Sequence, residues 1–150
     1  MGKKKVIQKS KEELIKENES VEKAVAQPSG GPSKQKFLEG KIFIQSTYNN
    51  TIISVTDKTG NVVAWMSAGS LGFSGPKKAT PFAASKVAEA IAQKIEKSGP
   101  STVEIYLRGV GSGRDSAVRS FAAKGFTIIA IKDVTPIPHN GPKPAKVRRV

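Results

Sequence analysis

Hydrophobic and polar residues alternate in three consecutive stretches in the first half of the chain. Such alternation puts apolar side chains on one side of an extended segment and therefore predicts β-strands. Short segments that contain Asn and Gly separate the stretches, and these residue types favour tight turns. The predicted strands cover residues 41–45, 51–56 and 62–66. Because the connections between them are short, we expect an antiparallel meander.

The hydrophobic period becomes helical after residue 81, where large apolar residues recur among alanines until the Ser-Gly-Pro of residues 98–100. A fourth strand, a second helix and a fifth strand follow over residues 102–107, 112–124 and 127–131. Right-handed crossovers imply that the later strands pair in parallel. The order βββαβαβ predicts an α/β fold with a five-stranded mixed sheet and two main helices, in which Trp65 and Phe82 lie in the core.

The two ends of the chain differ from this core, which we assign to residues 37–134. Residues 1–36 have few large apolar side chains and predict a flexible, disordered, charged arm, in which Ser10 and Glu13 would form a capping box for a short helix. Residues 135–150 contain four prolines and several basic residues. Because proline prevents regular helix and sheet, these residues predict an extended basic tail.

The charge balance restricts the partners that this chain can have. Its 25 Lys and Arg residues against 12 Asp and Glu residues give a formal net charge of +13. A polyanion would offset that charge, and nucleic acid is the first candidate, ahead of an anionic membrane surface. The chain has no cysteine, no apolar run long enough to cross a bilayer and no signal sequence, so we predict a cytoplasmic protein without a membrane partner.

A glycine-rich turn in residues 109–114 lies between the fourth strand and the second helix. Backbone N–H groups and a helix N-terminus can bind an anion at such a turn, and Arg108 and Arg114 add two guanidinium groups. Three interpretations are open: a nucleic-acid phosphate, a dinucleotide whose ribose contacts Asp133, or a tight turn that needs glycine. The second would make the protein a nucleotide-binding enzyme, although Arg114 replaces the last glycine of that motif.

Two further loops carry side chains suited to RNA. Asn49 and Asn50 at the predicted hairpin tip have amides that can reach phosphate, sugar or base edges, although Asn is also an ordinary turn residue. Lys77 and Lys78 precede the first long helix, where a phosphate would meet two ammonium groups and the positive end of the helix dipole. A solvated lysine pair is the alternative. Phe73 in the same loop is expected to fold back on the core.

The tail contains His139, the only histidine of the chain. The chain has no cysteine, and few acids lie near His139 with which it could form a metal site or an acid/base pair. We therefore predict no metal, no cofactor and no enzymatic activity. The ring of His139 and the amide of Asn140 are instead expected to face RNA. The basic residues that follow them are Lys143, Lys146, Arg148 and Arg149.

Several motifs resemble the bacterial form of small-subunit ribosomal protein eleven. The most specific is Ile-Lys-Asp-Val-Thr-Pro-Ile-Pro-His-Asn-Gly at residues 131–141, and Thr-Tyr-Asn-Asn-Thr at 47–51 and Gly-Ser-Gly-Arg at 111–114 also match. The likeness covers about residues 40–150. It implies a ribonuclease-H-like three-layer fold without nuclease activity. It also implies a structural role on the platform of the small ribosomal subunit, bridging ribosomal RNA helices near the messenger exit (Shine-Dalgarno) region.

The same resemblance implies particular partners. They are 16S ribosomal RNA, small-subunit ribosomal proteins seven and eighteen and, as a further candidate, initiation factor three, with no homo-oligomer. By position, it assigns RNA contacts to Asn49 and Asn50, to Lys77 and Lys78, to Arg114 and to the tail residues 139–149. The sequence departs from the family where Lys143 stands in place of a frequent arginine, which removes a bidentate phosphate contact.

Overall fold

The computed structural model describes residues 15–16, 19–23, 38–96 and 99–147. The strands are β1 (Glu39–Ser46), β2 (Thr51–Asp57), β3 (Val62–Ser67), β4 (Thr102–Arg108) and β5 (Thr127–Asp133). The two long helices are α1 (Pro81–Ile95) and α2 (Arg114–Ala123), and short 3-10 turns at Gly69–Leu71 and Gly75–Ala79 precede α1. The predicted order of strands and main helices is confirmed, and α2 is shorter at both ends than the pattern indicated.

The strands form one mixed sheet in the order β3-β2-β1-β4-β5, with β1 at its centre. β2 is antiparallel to β1 and β3, as the meander predicted, whereas β1, β4 and β5 pair in parallel. Ile42 of β1 pairs with Val55 on one side and Ile105 on the other, and all three side chains are fully buried. The register therefore directs one apolar row across the sheet into the core.

α1 and α2 contact each other and cover the face of the sheet that carries this row. α1 begins at Pro81, whose fixed φ suits a first helical position, and the Ala83 N–H donates to Thr80 Oγ1 at 3.2 Å. Small side chains let α1 lie close to the strands, as the pattern predicted. The buried alanines of α1 are Ala83, Ala84, Ala88, Ala90 and Ala92.

Neither α1 nor α2 covers the opposite face of the sheet, and the third layer that the resemblance implied stays a prediction. The prediction that Trp65 lies in the core is wrong, because Trp65 pairs with Ser54 on this uncovered face and is 61% exposed. The same prediction for Phe82 is also wrong, since this residue lies in the exposed first turn of α1. Phe73 does fold back on the core, and its ring meets Phe82 edge to face at 6.0 Å.

A helical segment at residues 19–23 adds one side chain to the core from the N-terminal arm. Val21 is only 2% exposed and belongs to the hydrophobic cluster formed by the sheet and the two helices. Ile15, in the same predicted helix, is 56% exposed. Ser10 and Glu13, the predicted capping box, lie outside the described residues. Because a short helix gains most of its stability from packing, burial of Val21 helps to hold this segment on the core.

We expect Val21→Ala to lower the free energy of unfolding by about 1–3 kcal/mol, because it removes two buried methyl groups. Ile15→Ala is the matched control, since truncating an exposed side chain should change stability by less than about 0.5 kcal/mol. Urea unfolding followed by circular dichroism measures both variants. Equal effects of the two substitutions would contradict packing of this segment on the core.

Candidate nucleic-acid interface

Four of the five strands run in the same direction, so their carboxyl ends meet at one edge of the sheet. β2 begins at this edge, which also brings the β1–β2 turn there. We call this edge the carboxyl edge. Four connecting segments lie along it: residues 47–50, 68–80, 109–113 and 134–147. Every described residue that the sequence proposed as an RNA contact belongs to one of these segments or adjoins one.

Hydrogen bonds join these segments to one another and to the sheet. The Gly111 N–H donates to the carbonyl oxygen of Ser46 at 3.0 Å, which ties the glycine turn to the end of β1. The Gly109 N–H donates to Thr135 Oγ1, also at 3.0 Å, which ties the same turn to the start of the tail. The carboxyl edge is therefore one hydrogen-bonded unit rather than a set of independent loops.

The β1–β2 turn is organised by the hydroxyl group of Thr47. Its Oγ1 accepts hydrogen bonds from the backbone N–H groups of Asn50 at 3.0 Å and Asn49 at 3.4 Å. Asn50 Oδ1 in turn accepts from the Thr51 N–H at 3.0 Å. The Asn50 side chain thus has a structural role in the turn, whereas Asn49 and Tyr48 are exposed at its tip. Contact of the two asparagines with RNA stays a prediction.

Lys77 and Lys78 lie in the 3-10 turn Gly75–Ala79, immediately before the cap of α1. Both are half-buried, and the Ser112 hydroxyl fixes this turn by donating to the Ala79 carbonyl at 3.0 Å. Lys78 has no carboxylate partner among the described residues. The lysines are therefore held near the positive end of the α1 dipole, an arrangement that repels other cations and suits an anion.

Arg114, the first residue of α2, makes its hydrogen bonds inside the protein. Its guanidinium donates to the carbonyl of Gly109 and forms an ion pair with Asp133, at the end of β5. Hydrogen bonds from the Thr135 hydroxyl and from Arg114 hold the pKa of Asp133 well below its ordinary value. Arg114 therefore ties the glycine turn to the start of the tail, and its contact with RNA stays a prediction. Arg108, at the end of β4, is exposed.

Two threonines that organise this edge were not singled out from the sequence. Thr135 links Asp133 to the Gly109 N–H, and Thr47 links the two backbone N–H groups of the asparagine turn. Short-range patterns could have revealed them, because Thr and Asp side chains commonly bond backbone groups two or three residues away. Asp-Val-Thr at residues 133–135 and Thr three positions before Asn50 both fit those patterns.

The geometry argues against the dinucleotide interpretation of the glycine turn. The N–H groups of Gly109 and Gly111 donate to other protein groups, so they do not face a ligand. Asp133, the proposed ribose contact, is already bonded to Arg114. Gly109 has φ 96°, a left-handed conformation that favours glycine. The structure thus supports the tight-turn interpretation and leaves phosphate contact to the flanking side chains.

Close approach explains the other glycines of this turn. The hydroxyl groups of Ser46 and Thr51 are buried, and neither has a hydrogen-bond partner within the described residues. A Cβ at Gly111 would collide with Ser46 Oγ and with the carbonyl oxygen of Thr47, and a Cβ at Gly113 would lie 3.0 Å from Thr51 Oγ1. Only glycine lets the turn lie this close to the ends of β1 and β2.

The tail leaves the sheet after one further backbone bond, from the Val134 N–H to the Leu107 carbonyl at 2.8 Å. Residues 135–147 form neither helix nor strand, and all but Thr135 are exposed. Asn140 has φ 54°, a left-handed conformation that Asn tolerates well. The exposed predicted contacts are His139, Asn140, Lys143 and Lys146. Arg148 and Arg149 lie outside the described residues.

The described parts of the chain contain neither a metal cluster nor a membrane-spanning helix. Among residues 15–16, 19–23, 38–96 and 99–147, no group of three or more His, Asp or Glu side chains is placed to hold a metal ion. In these ranges, no helix has the length and apolar character needed to cross a membrane. The exposed basic residues of the carboxyl edge therefore remain the leading candidate site.

An α/β core that gathers lysines, arginines and amides along one edge, beside an exposed basic tail, defines a basic nucleic-acid-binding protein. A comparison with protein-family models identifies the family within this class. The model described as ribosomal protein S11 matches residues 40–149, most of the chain. The chain therefore belongs to the ribosomal protein S11 family.

Curated relatives agree with this assignment. Proteins named small ribosomal subunit protein uS11 from Treponema pallidum subsp. pallidum and from the Nichols strain of Treponema pallidum are each 50% identical to the chain over 117 residues, which is 78% of the chain and 93% of each relative. The resemblance drawn from the motifs is confirmed. As a member of this family, the chain is an RNA-binding protein of the small ribosomal subunit that serves translation in the cytoplasm, with a structural rather than an enzymatic role.

We expect Gly111→Ala to lower the free energy of unfolding by about 1–3 kcal/mol, because the new methyl group meets backbone and hydroxyl atoms that must move. Gly69→Ala is the control, since a Cβ there lies no closer than 3.8 Å to the nearest non-neighbouring atom. Thermal and urea unfolding measure both. A Gly111→Ala variant as stable as Gly69→Ala would show that the turn does not depend on this close approach.

The Arg114–Asp133 pair should make stability depend on pH in a defined direction. The pKa of Asp133 is lowered in the folded protein. The contribution of this carboxylate to folding stability is therefore present above its pKa in the unfolded chain, near 3.8, and is lost as pH falls through the lower pKa of the folded protein. We expect Asp133→Asn to lower Tm by about 1–4 °C between pH 5 and 7 and the difference to narrow below about pH 4. Glu96→Gln, at the end of α1, is the control. A pH-independent Tm difference for Asp133→Asn would count against the pair.

Proposed function

We propose that this protein is a structural constituent of the small ribosomal subunit that binds 16S ribosomal RNA through its carboxyl edge. The family resemblance further supports a position on the platform, where the protein bridges RNA helices near the messenger exit. Phosphate groups meet the lysines and arginines, and the amides and the histidine ring reach sugars or unpaired bases. The protein thus fixes the relative positions of RNA segments and catalyses no reaction.

The distribution of neutralised and free cations carries this proposal. Outside the connecting segments of the carboxyl edge, Lys58 pairs with Glu39 at 2.8 Å and Lys132 of β5 pairs with Glu104 at 3.2 Å. At the carboxyl edge, several basic side chains have no carboxylate partner within the described residues. They are Lys78, Arg108, Lys143 and Lys146. Unpaired cations gathered on one edge of a protein suit a polyanion, because binding releases counterions from its phosphates.

The residues of the carboxyl edge divide into those that hold the loops in position and those that contact RNA. Arg114 and Asn50 are engaged in hydrogen bonds within the protein, so we propose that each holds a loop in place and offers RNA at most a secondary contact. We assign the direct RNA contacts to side chains that are not engaged in this way within the protein. Lys77, which adjoins Lys78, and the residues at the end of the tail are added to them. They are Asn49, Lys77, Lys78, Arg108, His139, Asn140, Lys143, Lys146, Arg148 and Arg149.

We further propose three functional parts: the arm of residues 1–36, the RNA-binding core of residues 37–134 and the tail of residues 135–150. Prolines in the tail reduce the entropy that it loses on docking, so the tail can enter crevices between RNA helices at a low cost. The strand order, with β2 antiparallel to the other four strands, supports a ribonuclease-H-like relationship for the core. The proposed protein neighbours are small-subunit ribosomal proteins seven and eighteen, with initiation factor three as a transient partner.

The test is the affinity of the full chain for a platform-region fragment of 16S ribosomal RNA across a salt series with excess transfer RNA. We expect Lys77→Ala/Lys78→Ala to weaken binding and to reduce the salt slope by about 2, because two phosphate contacts are lost. A chain ending at Asn140 loses four basic residues and should reduce the slope by up to about 4.

The matched control is Lys41→Ala/Lys58→Ala, which removes the same charge from the opposite edge of the sheet. It should leave the salt slope within about 0.5 of the parent value, since neither side chain contacts phosphate. If this control weakens binding as much as Lys77→Ala/Lys78→Ala does, the positive charge acts generically. That outcome would contradict a specific interface at the carboxyl edge.

A further inference from the structure

Tyr48, at the tip of the β1–β2 turn, is an aromatic residue of the carboxyl edge that the phosphate contacts do not use. It is 78% exposed. Within the described residues its ring makes no stacking, edge-to-face or cation–π contact, and its hydroxyl group makes no hydrogen bond. A single exposed ring is ordinary on a protein surface, so its surroundings determine whether it has a ligand.

The other tyrosine of the chain shows how such a ring is engaged when it serves the fold. Tyr106 stacks on Phe43 with ring centroids 5.0 Å apart, and the Lys132 ammonium lies 5.2 Å from the centroid of the Tyr106 ring. The Tyr106 hydroxyl group donates to Glu104 at 2.8 Å. Tyr106 is thus bound by its neighbours in the sheet, whereas Tyr48 keeps its ring and its hydroxyl group available to a ligand.

The backbone on both sides of Tyr48 is held by hydrogen bonds. The Thr47 N–H donates to the carbonyl oxygen of Asn50 at 2.9 Å, and Thr47 Oγ1 accepts from the N–H groups of Asn49 and Asn50. These bonds close the turn around Tyr48 and fix its backbone. A tyrosine side chain has only two rotatable torsions before its hydroxyl group, so a ring presented in this way loses little entropy on binding.

The groups nearest to Tyr48 in the fold suit the other parts of a nucleotide. Asn49 is exposed beside it, and its side-chain amide makes no hydrogen bond within the described residues. Arg108 pairs with Gln45 of β1, three residues before Tyr48, so its Cα lies about one strand spacing, ~4.8 Å, from β1. An aromatic face, an amide and a guanidinium group match a base, the edge of a base and a phosphate respectively.

We propose that the ring of Tyr48 stacks on an unpaired nucleobase of the bound RNA, and that Asn49 bonds the edge of the same base. The ligand is a nucleotide in a loop, a bulge or a single strand, because both faces of a base inside a helix are covered by its neighbours. Phosphate contacts hold any RNA, whereas this contact selects an unpaired nucleotide. The inference rests on the proposed function and adds the kind of RNA element that the carboxyl edge takes.

Substitutions at Tyr48 in the full chain test the stacking, with the same platform-region fragment of 16S ribosomal RNA. We expect Tyr48→Leu, which keeps apolar bulk but removes the ring, to weaken binding at least about fivefold. The salt slope should stay within about 0.5 of the parent value, because no phosphate contact is lost. Tyr48→Phe keeps the ring and should bind within about twofold of the parent.

Trp65→Leu is the matched control, since it removes an aromatic side chain that is 61% exposed on the face of the sheet opposite the helices. It should bind the fragment within about twofold of the parent. Parent-like affinity of Tyr48→Leu would overturn the proposal. An equal loss in Tyr48→Phe and Tyr48→Leu would assign the contact to the hydroxyl group and would also reject stacking.

Fluorescence gives a measurement that does not depend on affinity. Trp65 is the only tryptophan of the chain, so Trp65→Phe/Tyr48→Trp moves the fluorophore to the turn. We expect the fragment to quench this variant, because a stacked base quenches indole emission, and to leave the emission of the parent nearly unchanged. The same fragment should bind without quenching once its unpaired nucleotides are annealed to complementary strands. Absence of quenching by the open fragment, or equal quenching by the annealed one, would reject the stacking site.

The two proposals can fail separately. A parent-like salt slope in Lys77→Ala/Lys78→Ala, with quenching at position 48 intact, would reject the lysine contacts of the proposed function and retain the stacking site. A reduced slope in Lys77→Ala/Lys78→Ala, with parent-like affinity in Tyr48→Leu and no quenching at position 48, would retain the interface at the carboxyl edge and reject the stacking site.

Discussion

The close approach of the glycine turn to the end of β1 is the constraint on which the carboxyl edge depends. Gly111 and Gly113 bring backbone against the buried hydroxyl groups of Ser46 and Thr51, where a Cβ has no room. This contact sets where α2 begins, and therefore where Arg114 meets the end of β5. The tail starts from that point. One steric condition thus fixes the relative positions of loops that are far apart in the sequence.

Ion pairing divides the surface of the protein into two kinds of region. Lys58 and Lys132 are neutralised by Glu39 and Glu104, whereas Lys78, Arg108 and the tail lysines have no carboxylate partner in the described parts of the chain. The formal net charge of +13 is therefore not spread evenly. The single acid at the end of β5, Asp133, is bound by Arg114, so it does not cancel the field that phosphate would meet.

Periodicity predicted every strand and both long helices, because alternation and helical spacing are local properties of the chain. The same reasoning placed Trp65 and Phe82 in the core, and there it was wrong. Alternation shows that Trp65 faces away from Ala64, but it does not show which face of the sheet the helices cover. Composition likewise marked residues 1–36 as a solvated arm, whereas burial of Val21 depends on a core formed by residues much later in the chain.

By itself, the sequence determined the order of the elements, the excess of positive charge, the family and which loops carry basic or amide side chains. Local spacing and long motifs such as residues 131–141 hold that information. Only the tertiary structure decided that these loops share one edge, that Arg114 is engaged by an acid 19 residues away and that Trp65 is exposed on the face of the sheet opposite the helices. The reason is that strand order and register, which join residues distant in sequence, determine each of these outcomes.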